Sequence, residues 1–115
     1  MSLLNPSIAF AWILLLLAGL LEPVWATAMK ASDGFTKLWP AVLTIVAAWS
    51  SFVLLGLSLK ALPVGTAYAV WTGLGAVGTA LLGILMFSEP ANAIRLGSIA
   101  LIIAGIAGLK LAGGE

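Results

Sequence analysis

In the segment GLLEPVWATAMK, residues 19–30, a carboxylate, Glu22, stands inside an apolar run whose next charged residue is Lys30. Were the run an α-helix, Glu22 would lie roughly 12 Å from its Lys30 end, close to the middle of a bilayer. A bare charge at that depth costs several kcal/mol, so the carboxyl must carry a proton or meet a cation. Lys30, Asp33, Lys37, Lys60, Glu89, Arg95, Lys110 and Glu115 all fall in connections or at run ends, where long side chains reach water. No lysine or arginine shares the depth of Glu22, which leaves a proton or an exogenous cation as its partner. Gly19 and Trp25, three residues to either side, share its helical face; the glycine opens space and the indole offers an N–H and a π surface. Tyr68 and Trp71 in GTAYAVWTGLG are also three apart, and Ser51 in AWSSF adds a hydroxyl at comparable depth. A carboxylate among aromatic faces attracts an organic cation, with cation–π contact contributing about 2 kcal/mol once desolvated. Proton and cation then exclude each other at one group, which is the chemistry of an antiporter. A protonated, purely structural carboxyl is the plainer alternative, and tryptophans such as Trp12, Trp39 and Trp49 suit the interfacial belts of membrane proteins.

The rest of the composition narrows the field. Hydrophobic residues make up 63% of the 115-residue chain and charged ones 8%, against about 25% charged in soluble domains, so the chain reads as a membrane protein. Histidine and cysteine are absent, which removes the commonest metal ligands, thiol chemistry and the usual neutral-pH proton carrier. With no second deeply placed acid, an enzyme is not expected and no cofactor is implied. A net charge of +1 without a basic run gives no footprint for nucleic acid. AWILLLLAGLL resembles the apolar core of a secretory signal, but such cores follow basic residues and the first one here is Lys30, so the segment is expected to stay.

Four apolar runs, approximately 8–29, 41–59, 66–87 and 92–111, are each near the length that crosses a ~30 Å hydrocarbon core, and in lipid each must be helical. The expectation is an all-α membrane protein, a single four-helix transmembrane domain over 1–115. The connections KASDGFTKLWP, KALPVG and SEPA are short, with Pro40, Pro63 and Pro90 near helix starts, and imply helices running up and down as a bundle. Lys30, Lys37 and Arg95 gather on one membrane face and Lys60 and Lys110 on the other, too even a split to select an orientation. Insertion in both directions would make an antiparallel homodimer available. Ala93, Gly97, Ala100, Ala104, Ala107 and Gly108 form a small-residue face on the fourth helix; Gly97, Ala100, Ala104 and Gly108 are the expected dimer contacts, although the face could also serve packing within one subunit. Pro23 breaks the helical ladder beside Glu22, either as a hinge or as a bend that Gly19 absorbs.

LLEPVWATAMKASDGFTKLWP, LPVGTAYAVWTGLGAVGTALLG and SEPANAIRLGSIALIIAGIAGLK together resemble the small multidrug resistance family over nearly the whole chain. Trp25 following Glu22 by three makes the chain look most like the guanidinium-exporter branch. The resemblance implies a dual-topology antiparallel homodimer in the plasma (inner) membrane, in which two copies of Glu22 share one site and exchange protons for guanidinium or small guanidinyl cations by alternating access. It further implies that Trp25, Ser51, Tyr68 and Trp71 form the hydrogen-bonding shell, that Gly19 lies beside the carboxylate, and that Gly73, Gly75 and Gly78 form a conformational hinge. Pro23 departs from the family pattern, where a branched apolar residue commonly follows the glutamate. The alternatives are a broad quaternary-ammonium exporter of the same family and, in a different class, a proton-conducting channel or structural subunit.

Overall fold

The structure, a computed structural model, describes residues 4–113. It contains helices α1 (Ile8–Ala31), α2 (Leu38–Ser58), α3 (Val64–Met86) and α4 (Ala93–Gly113). Each is long and apolar enough to cross a membrane, so the chain is a membrane protein with four transmembrane helices. Glu115, expected near a helix end, and the first three residues of the MSLLNPS opening lie outside the described residues.

The helix boundaries follow local chemistry. Ser7 caps α1 by accepting the Phe10 amide at 3.2 Å. At the other end buried Ser32 organises the turn: its hydroxyl donates to the Met29 carbonyl at 2.6 Å and accepts the Phe35 amide at 3.0 Å. This lets Asp33, Gly34 and Phe35 pass through the left-handed region at φ 51°, 68° and 67°. The expected second and third helices start late by comparison, because Pro40 fits within the first turn of α2, where its missing N–H breaks no bond, and α3 begins immediately after Pro63. Asn92, expected as the first residue of the fourth helix, instead caps it, its Oδ1 accepting the Arg95 amide at 2.9 Å.

The packing is a slab, its Cα atoms spanning 39 × 36 × 17 Å, and not the closed bundle that short connections imply. Helix α1 lies between α2 and α3, whose backbones come close at few points although they are consecutive, while α4 packs along α3 and reaches α1 through the Lys110 side chain. Residues Ala11, Trp12, Leu15 and Ala18 of α1 join Leu62, Ala67, Val70 and Trp71 in the core. Gly19 of α1 admits Leu74 of α3, and the Ala18 carbonyl lies within hydrogen-bond reach of Ser51 on α2. Trp12 is therefore a core residue and not a member of an interfacial belt, and the Lys110 ammonium sits 4.7 Å above its ring. Trp39 and Trp49, 77% and 65% exposed, do project outward.

Candidate functional site

Glu22 points from the centre of α1 towards α3, where its carboxyl group rests on the backbone of Gly75; a methyl group at that glycine would overlap it. The side chain is half-buried, and its Oε1 is buried without a hydrogen-bond partner among the described residues. Trp25, one turn on, buries an indole N–H that likewise has no acceptor among them. An unpaired acceptor and an unpaired donor one turn apart on one helix are costly unless a further group completes them.

Ser51 and Trp71 are brought close together but do not bond Glu22. The Trp71 indole donates to Ser51 Oγ at 2.9 Å, and the Ser51 hydroxyl donates onward to the Ala18 carbonyl at 2.7 Å. This buried relay ties α3, α2 and α1 together one turn before Glu22 on α1. Tyr68 lies beside Trp71 with ring centroids 5.5 Å apart, yet remains 56% exposed. At the centre of the aromatic group is Phe52, which the sequence reading did not single out. Its ring meets Trp25, Trp49 and Trp71 edge-on at 6.4, 6.2 and 5.9 Å. Its position after Ser51 and its helical spacing of three from Trp49 were the signals the sequence offered, and neither reports the contacts with Trp25 and Trp71. Phe52 is 44% exposed, so the aromatic surface is open on one side of the slab.

Gly19, Gly73, Gly75 and Gly78 all occupy close contacts. Methyl groups built at Gly19 and Gly73 would lie 2.9 Å from Leu74 Cβ and 3.0 Å from Ile106 Cδ1, and one at Gly78 would lie 2.5 Å from Pro23 Cγ. Helix α3 runs unbroken through Gly73, Gly75 and Gly78, so in this conformation they admit neighbouring helices instead of interrupting their own. On α4, Ile99, Ile102, Ile106 and Leu109 form the less exposed face, whereas Gly97, Ala100, Ala104 and Gly108 are exposed, and methyl groups at the two glycines would meet nothing within 4 Å.

One turn beyond Glu22 and Gly75, a cavity of about 320 Å³ opens between α1 and α3 past Thr27 and Thr79. At its rim Arg95 is ion-paired with Glu89, whose carboxyl sits over Gly83. Lys30 completes the rim, its ammonium 5.5 Å from the centre of the Phe87 ring. The sequence had suggested only that these charges reach water.

Set against known proteins, residues 10–102 match the family described as Small Multidrug Resistance protein. The chain belongs to the small multidrug resistance family. The match spans Gly19 to Ala100 and so takes in every candidate residue except Ala104 and Gly108 of α4. Relatives of this small multidrug resistance protein include the guanidinium exporter of Yersinia pseudotuberculosis, 57% identical over 102 residues that cover 89% of this chain and 98% of the relative. The guanidinium exporter of Escherichia coli K12 is 56% identical over 101 residues, covering 88% and 96%. That of Proteus vulgaris is 56% identical over 102 residues, covering 89% and 98%. The family and these relatives are transporters.

Proposed function

We propose that this small multidrug resistance protein is a proton-coupled antiporter that exports guanidinium and small guanidinyl cations across the plasma (inner) membrane, and that it is not an enzyme. The observation that carries the reading is the unpaired Glu22 carboxyl oxygen, set in a transmembrane helix beside the unpaired Trp25 indole and the Phe52-centred aromatic group. The names of the relatives supply the cation.

Guanidinium suits these groups. It is planar, stays charged at neutral pH, carries several N–H donors and is weakly hydrated. A carboxylate accepts from its edge in a charge-assisted bond, and indole rings cover its faces. Trp25, Tyr68 and Trp71 supply that covering, while Ser51 holds Trp71 in place. A proton on Glu22 cancels the charge that attracts the cation, and a bound cation displaces the proton, so the two cross the membrane in opposite directions. The exposed aromatic side of the slab and the small-residue face of α4 favour a homodimer. In an antiparallel pair two copies of Glu22 face one cation, which allows two protons to be exchanged for each guanidinium and makes transport electrogenic.

The experiment is to reconstitute the protein in liposomes on a solid-supported membrane and record currents on guanidinium jumps. The native chain should give current and Glu22→Gln none, with no current from a large quaternary ammonium. Current from the large cation alone would move the protein to broad cation export. If neither cation gives current while a proton gradient collapses through Glu22, the protein is a proton channel and the antiporter reading fails.

A further inference from the structure

Two consecutive residues of α1 turn towards α3, and α3 receives each of them at a glycine. Glu22 lies on Gly75, and Pro23 lies on Gly78, where a methyl group would come within 2.5 Å of the proline Cγ. One turn earlier the roles reverse, with Gly19 of α1 receiving Leu74 of α3. Small meets large at three successive points, so sliding α1 past α3 by one residue drives a side chain into backbone.

These contacts differ in stiffness. The Glu22 and Leu74 side chains have rotatable bonds and can swing aside, whereas the Pro23 ring is closed onto its own backbone and is buried. Anything that displaces the ring therefore displaces the α1 backbone next to Glu22. That backbone is also weakly held by its own helix, because proline has no N–H to offer the carbonyl of Gly19. The Thr27 hydroxyl, which donates to the Pro23 carbonyl at 2.7 Å, braces the turn from below but does not replace the missing bond. At this level the position of α1 is governed by what it rests on.

We propose that Pro23 is a positioning residue: its ring, seated in the notch at Gly78, sets the depth and rotation of α1 at Glu22 and so keeps the carboxyl against Gly75. The functional consequence rests on the antiport reading, in which proton and cation compete at that carboxyl; the positional claim does not.

The test uses the full chain in liposomes as native protein, Gly78→Ala, Pro23→Ala and the double variant. Two readouts are taken: the protonation midpoint of the Glu22 carboxyl by carbon-13 solid-state NMR, and the guanidinium-evoked current. Gly78→Ala, which pushes on the ring, should move the midpoint by about one pH unit and change the guanidinium concentration for half-maximal current on the order of tenfold. Pro23→Ala removes Cγ and makes room for the new methyl group, so the double variant should return to within about twofold of native in concentration, with a matching return of the midpoint. A double variant as altered as Gly78→Ala, or a Gly78→Ala protein indistinguishable from native, overturns the proposal. Should Gly78→Ala fail to assemble, a double variant that assembles and titrates like native supports it, and one that also fails overturns it. A native protein without guanidinium current defeats the antiport reading, and the NMR arm still decides the positional claim.

Discussion

Ser51 donates its single hydroxyl proton to the Ala18 carbonyl while its oxygen accepts the Trp71 indole N–H. Ser51→Ala leaves that indole buried without an acceptor, which costs about 1–3 kcal/mol. Thermal unfolding in detergent should register the loss, guanidinium affinity should fall because Trp71 is no longer held, and Ser51→Thr, which keeps the hydroxyl, should recover much of both. Glu22 leads to a second expectation at this scale. In the antiport reading guanidinium keeps its charge through the neutral range, Glu22 is the group a proton competes for, and a proton on it would remove the attraction. Apparent affinity should therefore weaken as pH falls, by about tenfold per pH unit for each proton displaced per cation. Tryptophan fluorescence titrations across a pH series check this, and a flat profile would contradict competition at the carboxyl. Glu22, Trp25, Tyr68 and Trp71 were legible in the sequence because each is an unusual residue in apolar surroundings or keeps helical spacing with another. Phe52 was not singled out, because beyond its spacing of three from Trp49 its place rests on ring contacts with Trp25 and Trp71 on two other helices, and ring contact across helices has no sequence period.

At the scale of elements, transmembrane length made the four helices legible, but the ends depend on individual bonds. Helix α3 shows why. It stops where the amides of Phe87 and Glu89 both turn back to the Gly83 carbonyl, with Ser88 in the left-handed region at φ 56°. Glycine usually takes such a position, and nothing about a serine in MFSEP announces it. Ser88→Gly should thus leave thermal stability unchanged or raise it slightly, while Ser88→Val, whose branched side chain resists positive φ, should lower it by about 1–2 kcal/mol. The glycines of GLGAVG illustrate the same limit from the opposite direction. The family resemblance implied a hinge for them, and in this conformation Gly73 lies against α4 and Gly75 and Gly78 against Glu22 and Pro23. A glycine admits a neighbour and permits a bend for one reason, the absence of Cβ, and only the packing tells which use is in force.

For the whole molecule the slab shape and the charge balance bear on the same question. A protomer that leaves Phe52, Tyr68 and the small residues of α4 exposed has surface open to a second copy, and three basic residues on one membrane face against two on the other are too even a split to select an orientation. If the working unit is antiparallel, fixing the orientation must abolish transport without touching Glu22. Ala31→Lys with Ala91→Lys raises the balance to five against two, and Lys37→Gln with Gly65→Lys and Ala112→Lys reverses it to two against four; four of these positions are exposed at helix ends or in a connection, and Lys37 is in the α1–α2 turn. Each set alone should insert one way, as read by topology reporters fused at the C-terminus, and should give little guanidinium current after reconstitution. Produced together, the two chains should restore it, because each supplies the orientation that the other lacks. Full current from either chain inserted in one orientation would mean that the transporting unit is parallel or a single protomer, and that the open aromatic side of the slab faces something other than an inverted copy.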